Sequence, residues 1–576
     1  AESVSVDNTL NYAFSGTGDL AGHTALVKRG SGMLTISNDN TYTGGTRISG
    51  GTVSVNMLSN STRAYGGLGG VVESADLFVI ENGATLRTTE TVTQGSPMKM
   101  EGEDGGCVEN LKDFIIETPV EGTLLTKKGD GWMKLNTACP SLERLALDGG
   151  TVQCVACDKP AQTVEFMSGT LYENTGSSYA IHVPEGGSGT WSLANRSTYN
   201  NKITGEGELT IYCAVEHGNG WFATRTPVAV NLAQFTGTIN ATADMADTYP
   251  RFTLNTSSGM PDGTLNIAGG VIVQNTGRTF RIGKLAGKGA LGGYASFAND
   301  GATGVNTWQV GCDDDFAWAG IVTANSKFEK VGSGKMTVSG VWDNTGEVAV
   351  KEGTLCLNDR SAENAMLGSG ELSVEDGAVL CGLGKLGNAS VTVKRGGRLY
   401  SGTREGASSG TLDFSGKRLT VSTGGEVMFN VGSKVRCTTL EGISSLSLHG
   451  TLKVSVREGL ELEAGDEFQL WTANRTVLSS ACTLDLDSPG EGLEWDTSAL
   501  EDGVLKVKTA TGITGVVSGE PVDCVVYTLD GARAGYFTCM PSEVRVYMEE
   551  NGFKSGMYMV KMTQGQRTVS RKVTVD

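Results

Sequence analysis

The chain is poor in the features that usually carry chemistry or anchor a protein. It has four histidines and 11 prolines among 576 residues, and no run of about 18 apolar residues that could cross a bilayer as a helix. Its net charge is −18, so the basic surface needed for nucleic acid or anionic lipid is also missing. These absences predict a protein that neither binds nucleic acid nor spans a membrane. An initiating Met and a signal peptide are absent too, which predicts a mature or trimmed chain.

Long segments with helical periodicity are also missing. Glycine accounts for 82 residues, about twice its average usage, without the Gly-X-Y period of collagen. Between the glycines, apolar and hydroxyl residues alternate in short runs, as at Leu34 and Ile36 or at Val391 and Val393. Because period-two alternation bounded by turn residues is typical of strands, the chain is predicted to be all-β.

One segment recurs in the same register. Each copy has a lysine, glycines two and four residues later, and a Gly-Thr step whose glycine lies 19 residues after the second glycine. The three copies occupy 28–55, 127–154 and 330–357. A unit of this size cannot bury an apolar face alone, so neighbouring units must stack.

Two stacked architectures fit such a repeat. A propeller needs four antiparallel strands per blade, whereas a parallel β-helix needs only short strands on the sides of each coil. The runs between turn residues are three to five residues long and the turn signals are irregularly spaced. The sequence therefore favours a parallel β-helix, with roughly 20 to 28 residues per coil.

The residues at 25–36 and 38–55 closely resemble the autotransporter-associated β-strand repeat, which occurs in passenger regions of bacterial surface proteins. The segment at 328–340 is similar, and the one at 492–507 resembles the closing segment of such passengers. The resemblance implies a right-handed parallel β-helix over 1–508 and a cell-surface or extracellular setting. It implies no reaction.

The pattern changes near the C-terminus. A Gly/Thr/Ser-rich linker is predicted at 509–520, followed at 521–576 by longer strands and a hairpin turn at 563–566. Several antiparallel strands in about 60 residues predict a small Ig-like β-sandwich that could cap the last coil.

This tail resembles the C-terminal sorting domain of type IX secretion substrates of Bacteroidota. An arginine usually follows Asp-Gly in that domain, whereas Ala532 precedes Arg533 here. The resemblance implies an outer-membrane secretion machinery as a partner and an outer-membrane-associated location. The matching residues are Asp530, Gly531, Gly556, Tyr558, Val560 and Lys572.

Two loops are candidate binding sites. Asp313, Asp314 and Asp315 form the densest acidic cluster, interpreted as a solvated turn or as a weak calcium site. The loop that contains His217, Trp221 and Phe222 is a weak glycan-binding candidate, because aromatic rings can stack on sugars.

Twelve cysteines are scattered along the chain, unlike the dense cysteines of a disulfide scaffold. They are interpreted as buried thiols within strands. A bridge from Cys139 to Cys154 or Cys157, and one between Cys524 and Cys539, are the alternatives.

The sequence shows no nucleophile, paired carboxylates or cofactor motif in a suitable context. We therefore expect a non-catalytic surface or secreted rod without a cofactor, acting as an adhesin, stalk or binding scaffold. Its possible partners are surface glycans and host or bacterial surface proteins. The alternatives are a carbohydrate-active enzyme of the β-helical lyase or hydrolase type, and a glycan-binding module without turnover.

Overall fold

A computed structural model describes most of the chain. The described residues are 2–154, 157–173, 176–194, 199–214, 227–228, 230–243, 251–254, 258–275, 277–292, 305–358, 367–510, 520–565 and 567–575. Within these ranges, none of the helices has the length and hydrophobicity needed to cross a membrane.

Short strands make up most of the described chain. In the first third they are β1 (Ser3–Asp7), β2 (Tyr12–Phe14), β3 (Ala25–Arg29), β4 (Met33–Ile36), β5 (Thr46–Ile48), β6 (Thr52–Val55), β7 (Tyr65–Gly66), β8 (Gly69–Gly70), β9 (Phe78–Glu81), β10 (Ala84–Thr88), β11 (Val92–Gln94), β12 (Met98–Glu101), β13 (Gly106–Asn110), β14 (Phe114–Ile116), β15 (Val120–Lys128), β16 (Trp132–Leu135), β17 (Leu142–Asp148), β18 (Thr151–Cys154), β19 (Thr163–Phe166), β20 (Thr170–Glu173) and β21 (Ala180–Val183).

The middle third continues with β22 (Ser188–Ala194), β23 (Lys202–Gly205), β24 (Glu208–Ala214), β25 (Pro227–Val228), β26 (Asn231–Phe235), β27 (Thr238–Ala243), β28 (Arg251–Leu254), β29 (Met260–Ile267), β30 (Ile272–Asn275), β31 (Thr279–Gly287), β32 (Ala290–Gly292), β33 (Asn306–Val310), β34 (Phe316–Trp318), β35 (Ile321–Val322), β36 (Ser326–Lys330), β37 (Lys335–Val338), β38 (Val348–Val350) and β39 (Thr354–Asn358).

The last third contains β40 (Leu372–Val374), β41 (Val379–Lys385), β42 (Ser390–Val393), β43 (Arg398–Ser401), β44 (Gly410–Val421), β45 (Glu426–Ser433), β46 (Arg436–Leu448), β47 (Thr451–Val456), β48 (Glu467–Gln469), β49 (Trp471–Ala473), β50 (Thr476–Leu478), β51 (Thr483–Leu486), β52 (Leu493–Asp496), β53 (Val504–Thr509), β54 (Val522–Thr528), β55 (Arg533–Cys539), β56 (Gly556–Gln564) and β57 (Arg567–Val575). The described helices are α1 (Val544–Glu550) and the 3₁₀ turns Ala75–Leu77 and Leu500–Asp502.

Each coil pairs in parallel with the next. Met133 of β16 is in register with Val152 of β18, which is in register with Leu171 of β20, and each step is 19 residues. The ladder continues through a 27-stranded sheet from β11 to β51, beside a 16-stranded sheet that begins at β1. Because the coils pair in parallel along one axis, the predicted parallel β-helix is confirmed and the propeller is excluded.

The apolar positions of the coils form one interior. In strands such as β18 and β20 the buried side chains alternate with partly exposed ones, as period-two alternation requires. The resulting cluster of buried residues extends from Leu26 to Val507. Each leucine, valine or isoleucine in it contributes about 2 kcal/mol of hydrophobic burial. The antiparallel strands β48, β53 and β52 form a separate small sheet at the end of this segment.

The tail differs from the predicted sandwich. Its strands form one antiparallel sheet in the order β55-β54-β56-β57, and β56 and β57 form the predicted hairpin. Val544 and Met548 of α1 are fully buried in the core of this sheet. The second layer is therefore a helix and not the predicted second sheet. Two apolar residues four positions apart give this segment one helical face that packs on the core.

The tail also has its own core. Val522, Val526, Val560 and Val573 are buried in a cluster distinct from the interior of the β-helix. Residues 511–519 of the predicted linker lie outside the described residues, so the domain boundary at 509–520 stays a prediction.

Candidate functional site

The lysine of the repeat is buried at a corner of its coil. Lys28 has no exposed surface, and its Nζ donates to the carbonyl oxygens of Arg29 at 2.5 Å, Gly30 at 2.9 Å and Gly50 at 3.1 Å. Two of these carbonyls belong to its own coil and one to the next. The ammonium therefore joins two successive coils through their backbones.

The other two copies have the same arrangement. The Nζ of Lys127 donates to Lys128 O at 2.9 Å, Gly129 O at 2.6 Å and Gly149 O at 3.3 Å. The Nζ of Lys330 donates to Val331 O at 2.9 Å, Gly332 O at 2.7 Å and Glu352 O at 3.2 Å. We call these three sites the lysine corners. The repeat found in the sequence is thus one structural unit used three times.

The glycines of the repeat are required by the backbone. Gly30, Gly129 and Gly332 have φ values of 71°, 79° and 74°, in the left-handed region that favours glycine. A Cβ on Gly129 would lie 2.5 Å from the carbonyl oxygen of Asn110 in the preceding coil, which is too close for any real side chain. The Lys-x-Gly-x-Gly spacing therefore lets two coils approach closely at the corner.

Burial lowers the pKa of all three corner lysines, and the values for Lys127 and Lys330 stay above neutral pH. Loss of solvent lowers the pKa of Lys127 and of Lys330 to about 8, and it also lowers the pKa of Lys28. Each ammonium has three N–H groups and meets three carbonyl acceptors, so its donors are satisfied. A lysine held in this way supports the fold and has no free donor for a substrate.

A buried carboxyl group, which the sequence did not predict, lies inside the β-helix. Glu173 ends β20 and points inward, and its Oε2 accepts hydrogen bonds from Trp191 Nε1 at 2.7 Å and Ser177 Oγ at 3.1 Å. Burial raises the pKa of Glu173 to about 7, and these hydrogen bonds only partly offset the effect. The alternation of apolar and polar residues could have identified this buried glutamate, because Glu173 occupies the inward position that Cys154 occupies one coil earlier.

The acidic cluster does not converge on one point. Asp313 accepts a hydrogen bond from Ser333 Oγ at 2.7 Å, while Asp314 forms an ion pair with Lys284 at 2.6 Å. Asp315 accepts one from the backbone N–H of Lys335 at 2.8 Å. Within the described ranges no group of three or more His, Cys, Asp or Glu side chains could hold a metal ion. This geometry matches the solvated-turn interpretation, and calcium binding stays a prediction.

The glycan candidates His217, Trp221 and Phe222 lie outside the described residues. The 11 cysteines whose side chains are described are all free thiols. Cys139, Cys154 and Cys157 are buried beside one another in the core, and Cys524 and Cys539 are buried in the tail. The alternative bridges are therefore not formed, and burial raises the pKa of Cys139 to about 11, which keeps it protonated.

The residues of the predicted sorting motif divide between surface and core. Tyr558 and Val560 are buried, and Tyr558 Oη donates to Lys554 O at 2.9 Å. Asp530 lies in an exposed turn, where it accepts a hydrogen bond from Thr528 Oγ1, and Lys572 is exposed on β57.

Gly531 and Gly556, the motif's two glycines, have φ values of 90° and 154°. The buried members and the glycines support the sheet, which leaves Asp530 and Lys572 as the charged groups accessible to a partner.

The stacked coils and the repeated corner define a parallel β-helix protein built on a recurring structural unit. The passenger-associated-transport-repeat family matches residues 26–55, the segment around the first lysine corner. The chain is also similar to the adhesin BmaC autotransporter of Brucella suis biovar 1 (strain 1330), with 28% identity over 141 residues. That match covers 23% of this chain and 4% of the relative. The passenger-type repeat predicted from the sequence is therefore confirmed at residues 26–55.

Proposed function

We propose that this chain is a non-catalytic rod displayed on a bacterial surface, where it acts as an adhesin or binding scaffold. The observation that carries the proposal is the continuous parallel stack, which contains a passenger repeat and is similar to part of a protein named as an adhesin. A stack of coils separates its two ends by about 4.8 Å per coil, which suits reach and display.

The predicted partners are surface glycans and surface proteins of host or bacterial cells. Beads coated with the purified chain should adhere to cells more than beads coated with an unrelated acidic protein. Treating the cells with periodate or with a protease separates a glycan partner from a protein partner. Beads that adhere to no cell type would contradict the proposal, and release of reducing ends from polysaccharides would favour the enzymatic alternative.

We also propose that the tail directs export through a type IX secretion machinery in a member of the Bacteroidota. The support is the match to the sorting motif and the exposure of Asp530 and Lys572 in a tail that has its own core. In an export-competent host, Asp530→Ala and Lys572→Ala should reduce the amount of surface protein. Lys561→Ala, at an exposed position of the same sheet, is the matched control. Equal surface amounts in all variants would contradict this role.

A further inference from the structure

A stretch of the outer surface consists of threonines and aromatic residues in register. In four successive coils Thr151 pairs with Thr170, Thr170 with Thr190, and Thr190 with Thr210. A second outward column lies two residues further along each strand. We call this surface the threonine face; it comprises Trp132, Thr151, Thr170, Thr190 and Thr210 in one column and Gln153, Tyr172, Ser192 and Tyr212 in the other.

The columns run along the axis of the stack. The residues between them in each strand, such as Val152, Leu171 and Ile211, are fully buried, so the threonines lie on the outside. All four threonines are partly exposed. Parallel strands lie about 4.8 Å apart, so the face presents one hydroxyl at about that interval over four coils.

Aromatic rings occur in every second coil. Trp132 is 41% exposed, and Tyr172, two coils further on, is partly exposed. Their ring centroids are 6.5 Å apart with an interplanar angle of 48°. Tyr212 follows two coils after Tyr172, and Ser192 between them in register is buried. The rings therefore recur at a backbone spacing of about 10 Å.

The threonine face is uncharged although the chain carries a net charge of −18. None of its nine side chains ionises near neutral pH. Lys134, at the head of the second column, is held by Asp113 at 2.6 Å. These side chains therefore offer no free cation to pair with a polyanion and no carboxylate to pair with a polycation. The complementary ligand is therefore an uncharged one.

The chemistry of these side chains defines a ligand class. Sugar rings have apolar faces that stack on aromatic rings, and their hydroxyls exchange hydrogen bonds with threonine, which can both donate and accept. The centroids of the Trp132 and Tyr172 rings lie 6.5 Å apart, so both rings can contact one extended chain that runs along the columns. We infer that the threonine face binds an uncharged, extended polysaccharide aligned with the axis of the rod. This inference rests on the surface role proposed above and names the ligand class for it.

The test uses the full chain and insoluble polysaccharides. Binding isotherms are measured by depletion on chitin and on cellulose, which are uncharged and β-linked, and on calcium alginate gel as an acidic control. Trp132→Ala and Tyr172→Ala should each weaken binding to an uncharged polysaccharide by roughly tenfold, because each removes a stacking ring. Thr170→Val, which keeps the shape and removes one hydroxyl, should weaken it about threefold.

The controls separate binding from folding. Trp132→Phe keeps an aromatic ring and should bind like the wild type, as should Tyr536→Ala, which removes an exposed ring from the tail. Loss of binding in the two alanine variants with retention in these controls supports the inference. The inference is overturned if the wild type binds neither chitin nor cellulose, if it prefers alginate, or if the alanine variants bind as well as the wild type.

Failure of this inference can be told apart from failure of the proposed function. If wild-type beads adhere to cells and beads carrying Trp132→Ala and Tyr172→Ala adhere equally, the rod is an adhesin whose ligand binds elsewhere. If wild-type beads do not adhere at all, the proposed function itself fails.

Discussion

The lysine corners and the Glu173 site show two ways of burying a charged residue in one β-helix. At a corner, the cation is surrounded by three backbone carbonyls, and the pKa of Lys127 stays above neutral pH. Around Glu173 the partners are the side chains of Trp191 and Ser177, and the pKa of the carboxyl rises to about 7. Burial moves both groups toward their neutral forms by about the same amount, from 10.5 to about 8 for Lys127 and from 4.5 to about 7 for Glu173. The lysine nevertheless keeps most of its charge at neutral pH, because the ordinary pKa of an ammonium lies further from neutrality than that of a carboxyl group.

The strongest way to break a lysine corner is to fill the space that its glycine leaves. In Gly129→Ala the new Cβ would lie 2.5 Å from Asn110 O, and the residue would keep a φ near 79°. We expect a loss of about 4 kcal/mol of stability, measured as the shift of the guanidinium unfolding midpoint. Gly18→Ala is the control, because nothing lies within 4 Å of its Cβ and its φ is ordinary, so a change of about 0.5 kcal/mol or less is expected. Equal losses in both variants would contradict the corner's role.

Removing the lysine's charge is a second test of the same corner. Lys127→Met leaves three carbonyls without their donor in a buried site, and we expect a loss of about 3 kcal/mol. The neighbouring Lys128 is half exposed and forms an ion pair with Asp148 at 3.5 Å. Lys128→Met should therefore change stability by about 1 kcal/mol at most. If the two methionine variants unfold at the same midpoint, the carbonyl coordination contributes little.

The Glu173 site should respond to pH. Its folded pKa of about 7 lies above the ordinary value of 4.5, so the folded state binds more protons than the unfolded state between these values. Stability should therefore fall as pH rises from 4.5 to 7, by roughly 3 kcal/mol at most, and level off above pH 7. Glu173→Gln, which mimics the protonated group, should lack this component. The measurement is the unfolding midpoint of both proteins from pH 4 to 8, and parallel curves would show that folding does not raise the pKa of the carboxyl.

The lysine corners should give the opposite dependence of stability on pH, in a different pH range. Burial lowers the pKa of Lys330 from 10.5 to about 8, so between these values the folded state binds fewer protons than the unfolded state. Stability from this group should therefore rise as pH increases from 8 to 10.5. The difference between wild type and Lys330→Met, measured as unfolding midpoints across that range, isolates the effect. A difference that does not change with pH would contradict it.

Recurrence explains which of these sites the sequence could predict. A corner occurs three times at fixed spacing, so the positions of Lys127 and Gly129 stand out by alignment of the chain with itself. Glu173 occurs once, and a charged residue in a strand is usually assigned to the outer face, although the alternation of β20 places it inside. Helix α1 was missed for a similar reason, because Val544 and Met548 are one pair in a short segment. The threonine face depends on register between coils, which spacing alone does not fix.

The smallest prediction compares the corners with one another. In the second copy, Asn110 Nδ2 donates to Lys112 O at 2.6 Å and to Trp132 O at 3.1 Å, and so ties the turn before the corner to the next coil. Cys312 occupies this position in the third copy, since its carbonyl lies against Gly332 as that of Asn110 lies against Gly129. Its thiol reaches only Asp314 O, at 3.6 Å, and a thiol is a weak donor.

Exchanging Asn110 and Cys312 tests whether this difference in hydrogen bonding changes the stability of the two corners. Cys312→Asn should raise stability by about 1 kcal/mol, because an amide supplies two strong donors where the thiol supplies one weak donor, and Asn110→Cys should lower it by about as much. Unfolding midpoints at one pH measure both, with Cys312→Ala as a control that should not stabilise. If Cys312→Asn gains nothing while Asn110→Cys loses stability, the third corner has adapted to its thiol. The three corners would then be equivalent in their lysines and distinct in the turns that precede them.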